Sequence, residues 1–227
     1  MKKFMLCITA FLMFNTAQSQ EKLTIKIHDI ATYSTKIYGT SLIGIFLQSL
    51  DKLIVLGIGS MREFGLYSVA FGLSRLIGIV PETLSTVIFS RFAGQNEDQL
   101  SLVTKNVFAM LFPCLMFICL VIAFLAPWLI VLLFGVDYQA ASLPFIFLIF
   151  ESAISSLGWL LSQRFNAVGR PGLVFIRQAI SVMPLALILV FIDSMPLLIL
   201  VSGALLLSSI LRLIVTFVLY SKVFNEK

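Results

Sequence analysis

The feature that most constrains this chain is the grouping of its apolar residues into long segments. Six segments have the roughly 20 residues that an α-helix needs to cross a hydrocarbon core of about 30 Å. They cover residues 37–59, 65–90, 106–126, 140–162, 173–192 and 196–220. Of the 227 residues, 59% are hydrophobic and only 12% are charged. A soluble domain of this size does not need so many apolar residues, because its outer surface must face water. The sequence therefore predicts an all-α integral membrane protein, a bundle of six transmembrane helices.

The connections between these segments differ in charge. Alternate connections carry nine cationic residues, namely Lys22, Lys26, Lys36, Arg91, Lys105, Arg164, Arg170, Lys222 and Lys227. The other set carries only Arg62, which adjoins Glu63, together with the acidic Asp137 and Asp193. Because cytoplasmic loops carry an excess of Lys and Arg, both ends of the six-helix unit are predicted to be cytoplasmic.

One further apolar stretch is too short to form a crossing of its own. It reads "PWLIVLLFG" and covers residues 127–135, directly after the third segment. We expect it to extend the third helix or to lie at the interface, where Trp128 suits the headgroup level.

The first 20 residues allow two interpretations. Lys2 and Lys3, a short apolar run and the sequence "TAQSQ" resemble a secretory signal peptide. Cleavage there would place the lysines of residues 21–36 on the far side of the membrane, against the charge pattern. The alternative is the stump of a preceding helix or an interfacial helix. The expected parts are this segment (1–20), a basic juxtamembrane linker (21–36), the bundle (37–222) and a cytoplasmic tail (223–227).

Seven charged residues fall within the predicted spans, although a charge at the bilayer centre costs about 2.5–3.5 kcal/mol on insertion scales. They are Asp51, Lys52, Arg75, Glu82, Glu151, Arg177 and Arg212. Ionisable residues at this depth usually face a bundle interior or a wet cavity. We therefore interpret all seven, with Gln48 on the same face as Asp51, as candidates for a substrate or ion pathway. For Arg177, near a predicted helix end, snorkelling to the interface is the alternative.

Four of the predicted helices carry small and polar residues every three or four positions, which places them on one face. The sets are Ser41, Gly44, Gln48 and Asp51; Ser68, Gly72, Arg75, Glu82 and Thr86; Glu151, Ser155, Gly158 and Ser162; and Ser202, Ser209, Arg212 and Thr216. Close helix packing is the simpler explanation for the small residues alone.

We expect Asp51 to pair with Arg75, and Pro81 to kink the second helix.

Short motifs occur in an order that resembles one family. They are Asp51-Lys52, "GLYSVA" (65–70), Pro81, "FSRFAG" (89–94), "LLFGVDYQAA" (132–141) and "NAVGRPG" (166–172). Over roughly residues 30–222 the series resembles the C-terminal half of the polysaccharide flippases of the Wzx type, whose superfamily includes lipid II flippases and multidrug exporters.

The resemblance implies one lobe of a two-lobed transporter with a central cationic cavity. Such flippases move oligosaccharides linked to undecaprenyl diphosphate across the bacterial inner membrane, for the O-antigen of lipopolysaccharide or for capsule. The expected partners are this lipid-linked oligosaccharide, membrane lipids and a chain that supplies the other lobe. The cationic pathway candidates outnumber the acidic ones by four to three.

The absence of a first lobe leaves several interpretations open. The chain is a truncated reading frame, a half that associates with a partner, or a non-functional remnant. A non-transporting membrane subunit and a drug or cation antiporter of the same superfamily are the functional alternatives.

An envelope enzyme is disfavoured. The sequence has no paired-Asp metal motif, no His-Asp acyl-transfer motif and no phosphate-cradling glycine loop. We expect no catalytic residues, no cofactor, no metal and no nucleic-acid partner. Cys7, Cys114 and Cys119 lie in apolar runs and are predicted to be small apolar residues without a disulfide role.

Overall fold

The computed structural model describes residues 49–92, 97–167, 171–180, 182–186 and 196–225. The chain divides into two units, Met1–Ser41 and Leu42–Lys227, and all described residues belong to the second. Regular secondary structure in these ranges is entirely helical, which confirms the predicted all-α class. The predicted segments 1–20 and 21–36, together with Gln48, lie outside the described residues.

The helices follow one another with short connections. Helix α1 is described over residues 49–58, and it is followed by α2 (Met61–Arg75), a 3₁₀ turn (Leu76–Gly78), α3 (Ile79–Phe92), α4 (Glu97–Phe134), a 3₁₀ helix (Val136–Ala141), α5 (Ser142–Ala167), α6 (Pro171–Ile180), α7 (Met183–Ala186) and α8 (Leu197–Asn225).

Four helical stretches within the described part are long and apolar enough to cross a membrane. They are Met61–Ile88, Leu102–Phe134, Val136–Gln163 and Leu197–Tyr220, and they correspond to the second, third, fourth and sixth predicted spans. The first and fifth predicted spans extend beyond the described residues. Within the fifth span, α6 ends at Ile180, and the short α7 is the last helix that the structure describes there. The chain is thus a multi-pass membrane protein.

Helix α4 is longer than the predicted third span. The stretch 127–135 continues it as far as Phe134, which confirms the first of the two alternatives for this stretch. Pro113 and Pro127 lie inside α4. Its large apolar side chains, among them Phe117, Phe124 and Trp128, are exposed on the bundle surface. An exposed apolar surface of this kind is typical of contact with a membrane or with another protein.

Helix α5 lies at the centre of the described bundle. It packs against α2, α3, α4, α6 and α8. In the span Val136–Gln163, which contains most of α5, 67% of an apolar 18-residue stretch is buried. The corresponding value for the span Leu102–Phe134 in α4 is 17%. Leu148, Ile149 and Leu157 on α5 are fully buried and form the middle of the apolar core. The side chain of Glu151 on α5 therefore lies inside protein rather than in lipid.

The second predicted span, in which the sequence predicts a kink at Pro81, contains a short 3₁₀ turn at Leu76–Gly78. The break lies just before the proline, because α2 ends at Arg75 and a 3₁₀ turn leads into α3 at Ile79. Pro81 consequently occupies the first turn of α3, where its missing N–H removes no helical hydrogen bond. The break separates Arg75 from Glu82, one on each side.

Candidate functional site

A cavity of about 570 Å³ opens among α1, α2, α3, α5, α6, α7 and α8. All seven charged residues that the sequence places within the spans line it: Asp51, Lys52, Arg75, Glu82, Glu151, Arg177 and Arg212. They come from six different helices, so the tertiary packing brings them together. Helix α4 contributes no lining residue among those described.

Glu151 is the centre of a charge network. Its side chain on α5 is 1% exposed, and its Oε2 lies 3.1 Å from Nη2 of Arg75 on α2. Its Oε1 lies 3.5 Å from Nη2 of Arg212 on α8. The contact at Oε2 lacks the angles of a hydrogen bond, so we describe it as a charge pair. One carboxylate is therefore shared between two guanidinium groups.

Asp51 has a different partner from the predicted one. The hydroxyl of Tyr67 donates a hydrogen bond of 2.5 Å to Oδ2 of Asp51, and Oδ1 has no hydrogen-bond partner. Arg75, the expected partner, contacts Glu151 instead. The predicted Asp51–Arg75 pair is thus wrong, because Arg75 lies eight residues beyond Tyr67 on α2, about 12 Å further along the helix axis.

Lys52 and Arg75 share an aromatic ring. The Nζ of Lys52 lies 4.2 Å from the ring centroid of Phe71, and the Cζ of Arg75 lies 4.4 Å from the same centroid. Each distance is within the range of a cation–π contact. Phe71 therefore positions two of the four cations of the cavity.

Arg177 is buried in the cavity wall and does not snorkel to the surface. It is 2% exposed, and neither its Nε nor its Nη1 has a hydrogen-bond partner. Among the described residues it forms no salt bridge. Gly158 on α5 faces it, and a β-carbon there would lie 3.6 Å from Nη2 of Arg177. A β-carbon at that distance would make an ordinary van der Waals contact, so the guanidinium group packs directly against α5 at this position.

The predicted polar stripes are buried on two helices and exposed on a third. On α5 and α8 the members Gly158, Ser162 and Ser209 are buried, whereas Ser68 and Thr86 on the second span are exposed. The hydroxyl of Ser162 donates to the carbonyl oxygen of Trp159, and that of Ser209 donates to the carbonyl oxygen of Leu206, each within its own helix. These small residues therefore favour helix packing and need no ligand.

The sequence prediction missed several uncharged lining or supporting residues. Phe71, Trp159 and Gln178 line the cavity, and Tyr67 holds Asp51. Tyr67 and Phe71 precede Arg75 by eight and four positions, and Trp159 follows Glu151 by eight. Helical spacing from the charged residues could therefore have identified them, because such positions share one face.

The cysteines and the acidic residues form no metal site in the described ranges. No group of three or more His, Cys, Asp or Glu side chains there is placed to hold a metal ion. Cys114 and Cys119 are both free thiols. The chemistry that the cavity offers is the binding of charged groups by side chains from several helices.

The fold and cavity define a class: a multi-pass membrane protein with a charged cavity inside an apolar helix bundle. A family model described as "polysaccharide biosynthesis protein" matches residues 1–143. The chain belongs to this polysaccharide biosynthesis protein family, and the resemblance to polysaccharide flippases is confirmed. The match supports a role in polysaccharide biosynthesis or export. It includes Asp51 and Arg75, but not Arg177 or Arg212. No curated protein and no solved structure matches the chain.

Proposed function

We propose that this protein moves an oligosaccharide linked to undecaprenyl diphosphate across the bacterial inner membrane, for O-antigen or capsule assembly. The family supports a step in polysaccharide biosynthesis or export. The charged cavity in an apolar bundle supports transport of a ligand that has both a charged group and an apolar chain. Moving such a lipid breaks no covalent bond, so the proposal needs no catalytic residue.

The observation that most strongly supports an anionic cargo is the environment of Arg177. A buried charge without a partner is strongly unfavourable, because it has lost its water and gained no compensating contact. Two nitrogens of Arg177 are buried and unpartnered, and so is Nε of Arg212 on the facing helix. A diphosphate supplies both the negative charge and the acceptor oxygens that guanidinium groups bind in pairs.

The rest of the carrier fits the surroundings of the cavity. The polyprenyl chain would remain against the apolar outer surface of the bundle, and the diphosphate would enter among the arginines. A second bundle, on a partner chain or elsewhere in a longer product, would supply the facing wall. Rocking of two bundles around a central site is the usual basis of alternating access. In this arrangement the C-terminus of the chain is cytoplasmic.

The test is restoration of surface polysaccharide in a bacterial strain that lacks its own flippase. We expect the wild-type chain, co-expressed with a second lobe, to restore it, and Arg177→Gln to reduce it at least about tenfold because the guanidinium group is lost. Arg62→Gln is the matched control, since Arg62 is exposed at the start of α2 and does not line the cavity.

Two outcomes contradict the proposal. Full restoration by Arg177→Gln would show that no anion depends on this arginine. Failure of the wild-type chain, despite stable insertion and co-expression of a second lobe, would favour a subunit without transport activity.

A further inference from the structure

Glu151 neutralises two arginines incompletely. It carries one negative charge, and it contacts Arg75 at 3.1 Å and Arg212 at 3.5 Å. Its Oε2 lacks a hydrogen bond, and Nε of Arg212 is also unpartnered. Two guanidinium groups therefore retain unused donors while a single buried carboxylate lies between them.

The same donors suit an external anion. Carboxylate and phosphate oxygens are alternative acceptors for the planar donor fork of arginine, so only one of them can occupy a given edge. The network is reachable, because Glu151, Arg75 and Arg212 all line the cavity and the Arg75 side chain is 38% exposed. A ligand with two or more negative charges matches the charge of the two arginines better than Glu151 does.

We propose that Glu151 is an internal counter-ion that holds Arg75 and Arg212 in the empty protein and is displaced from them by the anionic group of the cargo. This inference rests on the proposed function and deepens it. Glu151 would thereby determine specificity, because an anion that cannot outcompete the carboxylate for both arginines would not enter the site.

Displacement also has a structural consequence. Glu151 is on the central helix α5, whereas Arg75 is on α2 and Arg212 on α8. The shared carboxylate therefore ties two outer helices to the central one. Its release by a ligand frees both helices from that tie, so that filling the cavity is coupled to the packing of the bundle.

The test is calorimetric titration of the purified full-length chain, in lipid nanodiscs, with inorganic pyrophosphate. Glu151→Gln keeps the shape of the side chain and removes its charge. We expect the Kd of the Glu151→Gln protein for pyrophosphate to be about tenfold lower than that of the wild type, which is tighter binding. Glu82→Gln is the matched control, because Glu82 lines the same cavity and forms no salt bridge in the described part of the chain. We expect that variant to lower Kd by less than about threefold, the effect of general electrostatics.

Each outcome decides the inference. If the wild type binds pyrophosphate and Glu151→Gln binds equally or more weakly, or no better than Glu82→Gln, the inference is overturned and the proposed function stands. If none of the three proteins binds pyrophosphate, the anionic cargo itself is contradicted. If Glu151→Gln does not fold, Glu151→Asp replaces it. Its shorter side chain should lower Kd about threefold by weakening both contacts, and an unchanged Kd would overturn the inference.

Discussion

The guanidinium group of Arg177 is a buried cation that lies beside Gly158 and has no counter-ion among the described residues. A buried charge of this kind lowers the free energy of unfolding. We therefore predict that Arg177→Gln raises the free energy of unfolding by about 1–3 kcal/mol, the penalty of an unsatisfied buried group, while it weakens pyrophosphate binding. Unfolding in sodium dodecyl sulfate, followed by circular dichroism, measures the stability. Arg62→Gln should change neither quantity, and a loss of stability in Arg177→Gln would contradict this account of the residue.

The hydrogen bond from Tyr67 to Asp51 gives a second prediction. Tyr67→Phe leaves both carboxylate oxygens of a buried aspartate without a partner, so we expect it to destabilise the protein by about 1–3 kcal/mol in the same unfolding experiment. Tyr138→Phe is the control, because Tyr138 is half-buried and contacts Phe134 through its ring. Equal stability of the two variants would show that the Tyr67 hydroxyl contributes nothing to the fold.

These residues mark the limit of prediction from the sequence. Glu151 and Arg75 could be identified as cavity candidates because each is a charged residue deep within an apolar segment. Their pairing was not predictable, because helical periodicity gives the face of a residue on its own helix but not how two helices are rotated against each other. Tyr67 and Phe71 were missed for a related reason. A neutral aromatic residue in an apolar segment looks like core until its spacing from a charged neighbour is considered.

The turn between α1 and α2 shows how an element boundary depends on one residue. The N–H of Gly59 donates to the carbonyl oxygen of Val55 at 2.9 Å and ends α1. Ser60 then caps α2, with reciprocal bonds between Ser60 and Glu63. A β-carbon at position 59 would lie 2.6 Å from the oxygen of Val55 and 3.0 Å from Cδ2 of Leu197. The first of these atoms is backbone and cannot move without shifting the helix.

We therefore predict that Gly59→Ala destabilises the protein by about 1–3 kcal/mol, the usual effect of overpacking. Gly57→Ala is the matched control two residues earlier, where a β-carbon meets no described atom within 4 Å. That variant should be neutral or more stable by up to about 1 kcal/mol, because alanine favours the helix. Thermal unfolding of both purified variants makes the comparison, and an equally stable Gly59→Ala would contradict the close packing of this turn.

The helices themselves were largely predictable. Runs of apolar residues located the second, third, fourth and sixth spans, and four long apolar helices lie there in the structure. The end of α4 was left open by the sequence, because residues 127–135 can continue a helix or lie at an interface with equal local preference. Its continuation depends on packing, which buries Ala126 and Ile130 on the inner face of the helix.

For the molecule as a whole, the alternation of Lys and Arg gives a topology that remains a prediction. The connection at Asp137 should face the periplasm and Lys227 the cytoplasm, because three predicted spans lie between them and cationic loops stay inside. A fluorescent protein fused after Lys227 should fluoresce, and alkaline phosphatase inserted at Asp137 should be active. The reverse pattern of the two reporters would contradict the topology.

The most direct test asks whether the cavity inside the bundle is wet and attracts anions. Ser155 lines it, so Ser155→Cys can be labelled in a chain whose own cysteines are replaced. We predict that the anionic sulfonatoethyl methanethiosulfonate labels this thiol about tenfold faster than the cationic trimethylammonioethyl reagent, after normalisation to free cysteine. Leu120→Cys on the exposed face of α4 should react with neither in a bilayer. An unreactive thiol at position 155, or one that prefers the cationic reagent, would contradict the account.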